Sequence, residues 1–310
     1  MSEISIKVNN LKKYFEEVKA VDGISFQVES GSIFGMLGPN GAGKTTTIET
    51  LVGLYQKDAG DISICGYSPT DELNKIKELI GVQLQSPSLF PRLTVKEVIK
   101  LFASFYSEPA DVDKIIAKIR LEAKTDTRVK NLSGGQRHRL AVGLAMISNG
   151  NIIFLDEPTT GLDPQARRQL WNVIKDLKNE GKTVFLTTHY MDEAEKLCDK
   201  LVIIDKGKII AKGSPEELIH KNFKETAVEF TDPGFTENQK DKLKTITVSK
   251  RVNLENEENH IILYSLDVPS TISKLMDFAA GKGKEIKDIV VRQASLEDVF
   301  LKLTGRGIRE

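Results

Sequence analysis

Three short stretches of this 310-residue chain carry residue types suited to phosphate chemistry. Gly38-Pro39-Asn40-Gly41-Ala42-Gly43-Lys44-Thr45-Thr46 fits GxxxxGK[ST] and lies between the apolar run IFGML and a helical run. Its glycines let the backbone wrap so that successive N–H groups point at phosphate oxygens. Lys44 places a charge on the β- and γ-phosphates, and Thr45 offers a hydroxyl to Mg²⁺. A chain of this length matches the four defined positions by accident roughly once in a hundred, with Gly at about 7% of residues. The second stretch, NIIFLDEP, is a buried apolar strand that delivers Asp156 to a sheet edge, where it can hold Mg²⁺ directly or through water. Glu157 follows, placed to orient the water attacking a γ-phosphate or to accept its proton. The third is TTHYMDEA, in which His189 stands where the strand TVFLTT ends on the same edge. Gln85, after IGVQL, can reach Mg²⁺ or water in the same way, with Gln83 two residues away leaving its register open.

A fourth stretch, NLSGGQ, has a Ser-Gly-Gly turn opening an apolar helix but no lysine of its own. Ser133, Gly134, Gly135 and Gln136 at a helix N-terminus form an anion site by N–H geometry and dipole. A purely structural reading also holds, with Ser133 as N-cap and Leu140, Leu144 and Ile147 as core.

Strands must carry these residues to one edge. ISIKV, ISFQV, IFGML, DISIC, LIGVQL, NIIFLD, TVFLTT, KLVIID and KIIAKG alternate with helical patterns, which predicts a parallel sheet covered on both faces. From about Thr94 to Arg128 the spacing is helical without strands, an inserted helical subdomain. After a change of character over 220–235, TAVEFT, a helix near Asn238–Leu243, TITVSKRV, HIILYSL, a helix over Pro269–Ala280 and EIKDIVVR read as βαββαβ. In the closing SLEDVFLKLTG, Leu296, Val299, Phe300 and Leu303 share one helical face. The predicted fold class is therefore α/β: a P-loop ATPase core with an inserted helical subdomain (about 86–131), and a small α+β, ferredoxin-like C-terminal domain. The expected domains are 1–220 and 221–310.

Composition narrows the function. The 44 basic and 44 acidic side chains cancel, so no global field draws the chain to nucleic acid or an anionic membrane surface. MSEISIKVNN has no signal-peptide pattern, and no apolar run approaches the roughly 18 residues of a membrane span. Cys65 and Cys198 form no CxxC pair, which suits a reducing compartment.

GPNGAGKTT, LSGGQ, FLDEP, GLD at 161–163 and TTH, in this order, resemble the ATP-binding subunit of an ABC transporter over about residues 4–215. The resemblance implies ATP and Mg²⁺ as cofactors and two copies facing head to tail, so that Ser133-Gly134-Gly135 binds the γ-phosphate held on the partner's Lys44. It also implies roles for Tyr14 as the aromatic on adenine (with Phe15 as rival), Gln85 as the link to the helical subdomain, Glu157 as catalytic base, Asp163 on the loop crossing the dimer axis and His189 as the γ-phosphate switch. The segment before Gln85 departs from the usual Val-Pro-Gln, and His138 stands where a less titratable residue is common. The tail VVRQASLEDVFLKLTGRGIRE is similar to that of drug-resistance-type exporters, which pair with a separate multi-pass permease. An ATPase motor for export, peripheral on the cytoplasmic membrane face and without nucleic acid, is the implied function. The alternative is a soluble ABC ATPase acting on ribosomes or nucleic acid, disfavoured by the single P-loop, the missing coiled-coil insertion and the balanced charge.

Overall fold

The computed structural model describes residues 3–85, 89–243, 245–246, 252–255 and 260–305. The chain divides into two compact units between Pro215 and Glu216.

In the first unit, β1 (Ile4–Phe15) and β2 (Val18–Glu29) form a long hairpin. Its connection is two residues long, and Glu16 takes the left-handed conformation, φ 51. So short a connection can only join antiparallel neighbours, and these strands stay out of the parallel sheet the alternation predicts. With β4 (Ala59–Ile64) they make a separate antiparallel sheet, ordered β2-β1-β4. The parallel strands are β3 (Ile33–Leu37), β5 (Ile80–Gln83), β6 (Ile152–Asp156), β7 (Thr183–Thr188) and β8 (Lys200–Asp205). They are ordered β5-β6-β7-β3-β8, and β9 (Lys208–Gly213) adds an antiparallel edge. Every residue of β3, β6 and β7 is buried, which is why these read as unbroken apolar runs rather than as alternation.

Helix α1 (Lys44–Leu51) follows β3, and α2 (Leu73–Leu79) precedes β5. Residues 89–131 hold α3 (Val95–Ala103), α4 (Val112–Lys118) and two short 3-10 turns, with no strand among the described residues there. Then come α5 (Gly134–Met146), α6 (Pro164–Asn179) and α7 (Met191–Leu197), while α8 (Pro215–Asn222) starts at the division and belongs, after its first residue, to the second unit. One core joins the two sheets through α1: Ile6, Val8 and Phe26 meet Ile48, Leu51, Phe34, Phe154 and Phe185. Phe34 and Phe154 both lie 5.6 Å, centroid to centroid, from Phe185. Parallel strand direction puts the C-termini of β3, β5, β6 and β7 on one edge.

In the second unit, β10 (Thr226–Thr231), β11 (Val252–Glu255), β12 (His260–Ser265) and β13 (Val290–Gln293) form a sheet ordered β11-β12-β10-β13, every neighbour antiparallel. Helices α9 (Glu237–Leu243) and α10 (Val268–Ala280) fall where the pattern predicts. Most of TITVSKRV lies outside the described residues. Val228, Phe230, Leu263 and Leu275 centre this unit's own core. The closing helix α11 (Leu296–Thr304) buries Leu296, Val299 and Phe300, whereas Leu303 is exposed.

Candidate functional site

The carboxyl edge of the parallel sheet converges on Glu157. One residue beyond β6, it takes φ 47, a conformation a non-glycine side chain adopts at a cost of about 1–3 kcal/mol. The Glu157 N–H donates to the carbonyl and hydroxyl oxygens of Thr187 (3.2 and 3.0 Å), which fixes the turn. Its carboxylate, 4% exposed, meets groups from four segments. Oε1 lies 3.0 Å from Lys44 Nζ of the P-loop. Oε2 takes the amide of Gln85 (3.3 Å), the hydroxyl of Thr160 (3.0 Å) and Nδ1 of His189 (3.1 Å). Burial alone would raise the carboxyl pKa, but the His189 and Lys44 contacts win and pull it down to about 2.

Gly38–Thr45 wraps between β3 and α1. Gly43 has φ 104, and a Cβ there would sit 2.2 Å from the Ala20 carbonyl oxygen, so only glycine fits. Asn40 and Gly41 are exposed, Ala42 and Lys44 are buried, and Thr45 and Thr46 lie between. Lys44 Nζ donates to the carbonyls of Gly38 (2.8 Å) and Pro39 (3.0 Å) besides pairing with Glu157.

Asp156, the last residue of β6, is fully buried. Thr187 stands opposite it in the parallel register and donates its hydroxyl to Oδ1 at 2.5 Å. Oδ2 has no hydrogen-bond partner. Burial pushes the carboxyl up despite the hydroxyls of Thr187 and Thr45. An orphaned buried carboxylate oxygen is costly unless a cation takes it. Beside the Thr45 hydroxyl, that fits a hard oxygen-seeking ion such as Mg²⁺. No cluster of three His, Cys, Asp or Glu among the described residues offers a metal site.

Gln83 and Gln85 are distinguished by the strand. Gln83, paired in register with Leu155, is buried and donates to the carbonyls of Leu84 (2.8 Å) and Asp156 (3.4 Å). Gln85, past the strand end, is the one that reaches Glu157.

Other predicted residues lie elsewhere. Ser133 caps α5 in a reciprocal box with Gln136, and Ser133 and Gly134 are exposed. Gly135 faces α6, where a Cβ would come within 2.7 Å of Ala166 Cβ. Among the described residues no hydrogen bond joins this turn to the P-loop of its own chain. Asp163 caps α6 through Gln165 and Ala166 N–H, both 2.9 Å. The Tyr14 hydroxyl is committed to Asp22 (2.8 Å), while Phe15 is 38% exposed, edge-on to Tyr55.

A family description for ABC transporters matches residues 21–160. The "Nod factor export ATP-binding protein I" of Ralstonia nicotianae is 38% identical over 310 residues, 98% of this chain and 95% of that protein. This chain is a member of the ABC transporter ATP-binding proteins. A nucleotide-free ATP-binding cassette of an ABC transporter superposes with TM-score 0.64 at 29% identity, covering 71% of this chain and 94% of that one. A bacterial ABC transporter cassette solved as a dimer gives 0.61 at 26%, covering 67% and 98%. As an ABC ATPase, the chain hydrolyses ATP.

Several residues at the ABC site escape sequence reasoning. Thr187 positions both Asp156 and Glu157, and its signal was the end of β7 lying beside the end of β6. Thr160 adds a bond to Glu157 from the loop leading to Asp163. His138, marked in the sequence only as an unusual residue type, had no role assigned there; on α5 it shares a 2.7 Å hydrogen bond with the carbonyl of Pro158, which ties α5 to that same loop.

Proposed function

We propose that the chain is the ATP-hydrolysing motor of an exporter, working through a separate multi-pass permease. Glu157 activates the water at a site that two chains complete together. The observation that carries this reading is the convergence of Lys44, Gln85, Thr160 and His189 on one buried carboxylate.

Water attacks the γ-phosphorus, the bond from phosphorus to the β–γ bridging oxygen breaks, and ADP leaves with phosphate. Glu157 orients that water or takes its proton. A carboxylate with a pKa of about 2 is a feeble base. When a γ-phosphate engages Lys44, one anion replaces another on the ammonium, and Glu157 grows more basic as it loses that charge. Asp156, Thr45 and Gln85 would hold Mg²⁺, which supplies charge neutralisation on the phosphate oxygens. Asn40, Gly41, Ala42, Gly43 and Thr46 offer backbone N–H groups to the phosphates. For the adenine, Phe15 is better placed than Tyr14, because its ring is more exposed and carries no polar group committed elsewhere.

The Ser133-Gly134-Gly135-Gln136 turn, with Ser133 and Gly134 exposed and no hydrogen bond to its own P-loop among the described residues, serves the γ-phosphate of a second copy, with Asp163 on the shared axis. The proposed subdomain, about residues 86–131, passes the movement on from Gln85 to the permease, and the site domain, expected to extend to about residue 220, is better drawn to end near the division at Pro215. The strand order of residues 221–310 supports a ferredoxin-like accessory domain, given to dimerisation or regulation. No helix among the described residues is long and apolar enough to cross a membrane, so a permease supplies the membrane path and holds the motor at the cytoplasmic face.

Glu157→Gln, which should bind ATP without turning it over, provides the test. Tagged Glu157→Gln recovered with Mg-ATP from detergent-solubilised cells should bring down a stoichiometric multi-pass membrane protein. Ribosomal proteins or nucleic acid in its place would overturn the export reading.

A further inference from the structure

His189 meets Glu157 through one ring nitrogen, and its ring is held from the side by its neighbour: the Tyr190 centroid lies 4.1 Å away at 40°. Tyr190 in turn carries the guanidinium of Arg167, whose Cζ is 4.2 Å from the Tyr190 centroid. Arg167 Nε is buried without a hydrogen-bond partner, and Nη1 stands 3.7 Å from Asp192, a half-exposed carboxylate. The guanidinium thus spends its face on the aromatic ring, well inside the roughly 6 Å of an effective cation–π contact. Arg167 belongs to the first turn of α6, where its N–H donates to the Asp163 carbonyl at 3.0 Å. Four residues on, on the same helix face, Trp171 Nε1 donates to the buried Glu193 Oε1 at 2.9 Å. So α6 grips the start of α7 twice, once beside His189 and once three residues beyond Tyr190.

We infer that Arg167 and Tyr190 are positioning residues for His189, so that the first turn of α6, headed by Asp163, sets where the imidazole stands against Glu157. The inference rests on the hydrolytic reading of Glu157 and His189. Its consequence is directional. A displacement at Asp163, where a second copy is proposed to press, moves Arg167 and Tyr190 with the helix turn and is felt at His189.

The test uses the full chain and two measurements. Turnover of Mg-ATP is compared for Arg167→Met, Tyr190→Leu and Tyr190→Phe, with Arg168→Met as a control on the exposed side of α6. The His189 imidazole signal is followed by NMR, picked out from the four histidines by its loss in His189→Gln. Arg167→Met and Tyr190→Leu should each lower kcat on the order of tenfold with KM for ATP little changed, the signature of a misplaced group. Tyr190→Phe, which keeps the ring, should retain activity, and the His189 signal should shift in Arg167→Met but not in Arg168→Met. An unmoved His189 signal in Arg167→Met, or Tyr190→Phe as damaged as Tyr190→Leu, would overturn the inference. Failure of the wild-type chain to bind Mg-ATP would instead strike the hydrolytic reading, while the NMR comparison still decides what holds the imidazole.

Discussion

Glu157 combines two demands that oppose each other. Its backbone is strained at φ 47 so that the side chain turns toward the P-loop, and its charge is stabilised by Lys44 and His189 until it is hardly a base. A ligand that draws Lys44 away changes the second condition without disturbing the first, because the Thr187 hydrogen bonds hold the turn regardless. The proposed adenine contact belongs to this scale as well. Phe15→Ala should weaken ATP binding roughly tenfold, the loss of about 1–2 kcal/mol of base–aromatic stacking. Tyr14→Ala should leave affinity nearly unchanged, since its phenol serves Asp22. Titration with a fluorescent ATP analogue measures both; the reverse ranking would return the role to Tyr14. That Lys44, Gln85 and His189 would gather with Glu157 on one sheet edge was legible because each stands in a motif at a strand end. Thr187 and Thr160 were not, because their importance comes from strand register and a loop return that one-dimensional spacing does not express.

At the level of elements, the buried parallel strands and the Ser133 cap were readable, while the reciprocal partners of the caps emerged only in three dimensions. Thr94 with Glu97, Ser133 with Gln136 and Ser295 with Asp298 each close a reciprocal cap at a helix start. The β1–β2 hairpin was misread as part of the parallel sheet, since an apolar run does not announce its partner's direction. The last cap has a second duty. Asp298, fully buried, takes the Arg292 guanidinium on both oxygens (2.6 and 3.1 Å) and the Tyr264 hydroxyl at 2.5 Å, tying α11 to β13 and β12. Burial would raise the Asp298 pKa, but Arg292 and Tyr264 outweigh it and hold the carboxyl below the usual range. The folded state therefore binds its proton less readily than the unfolded chain. The resulting stability is complete above the ordinary aspartate pKa of about 3.9 and is lost as pH falls below it. Asp298→Asn should cost roughly 2 kcal/mol at neutral pH, less than a fully buried pair because Arg292 is partly exposed. Urea unfolding at pH 7 and pH 3 checks this, and the gap from wild type should narrow in acid. A gap that widens would contradict the ion-pair account.

On the scale of the whole molecule, a P-loop and a Ser-Gly-Gly turn in one chain, with no hydrogen bond between them among the described residues, make sense if each serves a different copy. In the proposed shared site, the paired carboxylate, lysine and histidine would supply the chemistry of one half, and the exposed N-terminus of α5 the other. The measurement that tests this most directly is complementation. Lys44→Ala removes the phosphate cation but leaves the α5 turn intact, and Ser133→Arg fills that turn but leaves the P-loop intact. Each alone should be nearly inactive. Mixed in equal amounts, they should regain ATP turnover, because a mixed dimer pairs one intact P-loop with one intact α5 turn. A mixture no more active than the average of the two separate variants would contradict the shared site.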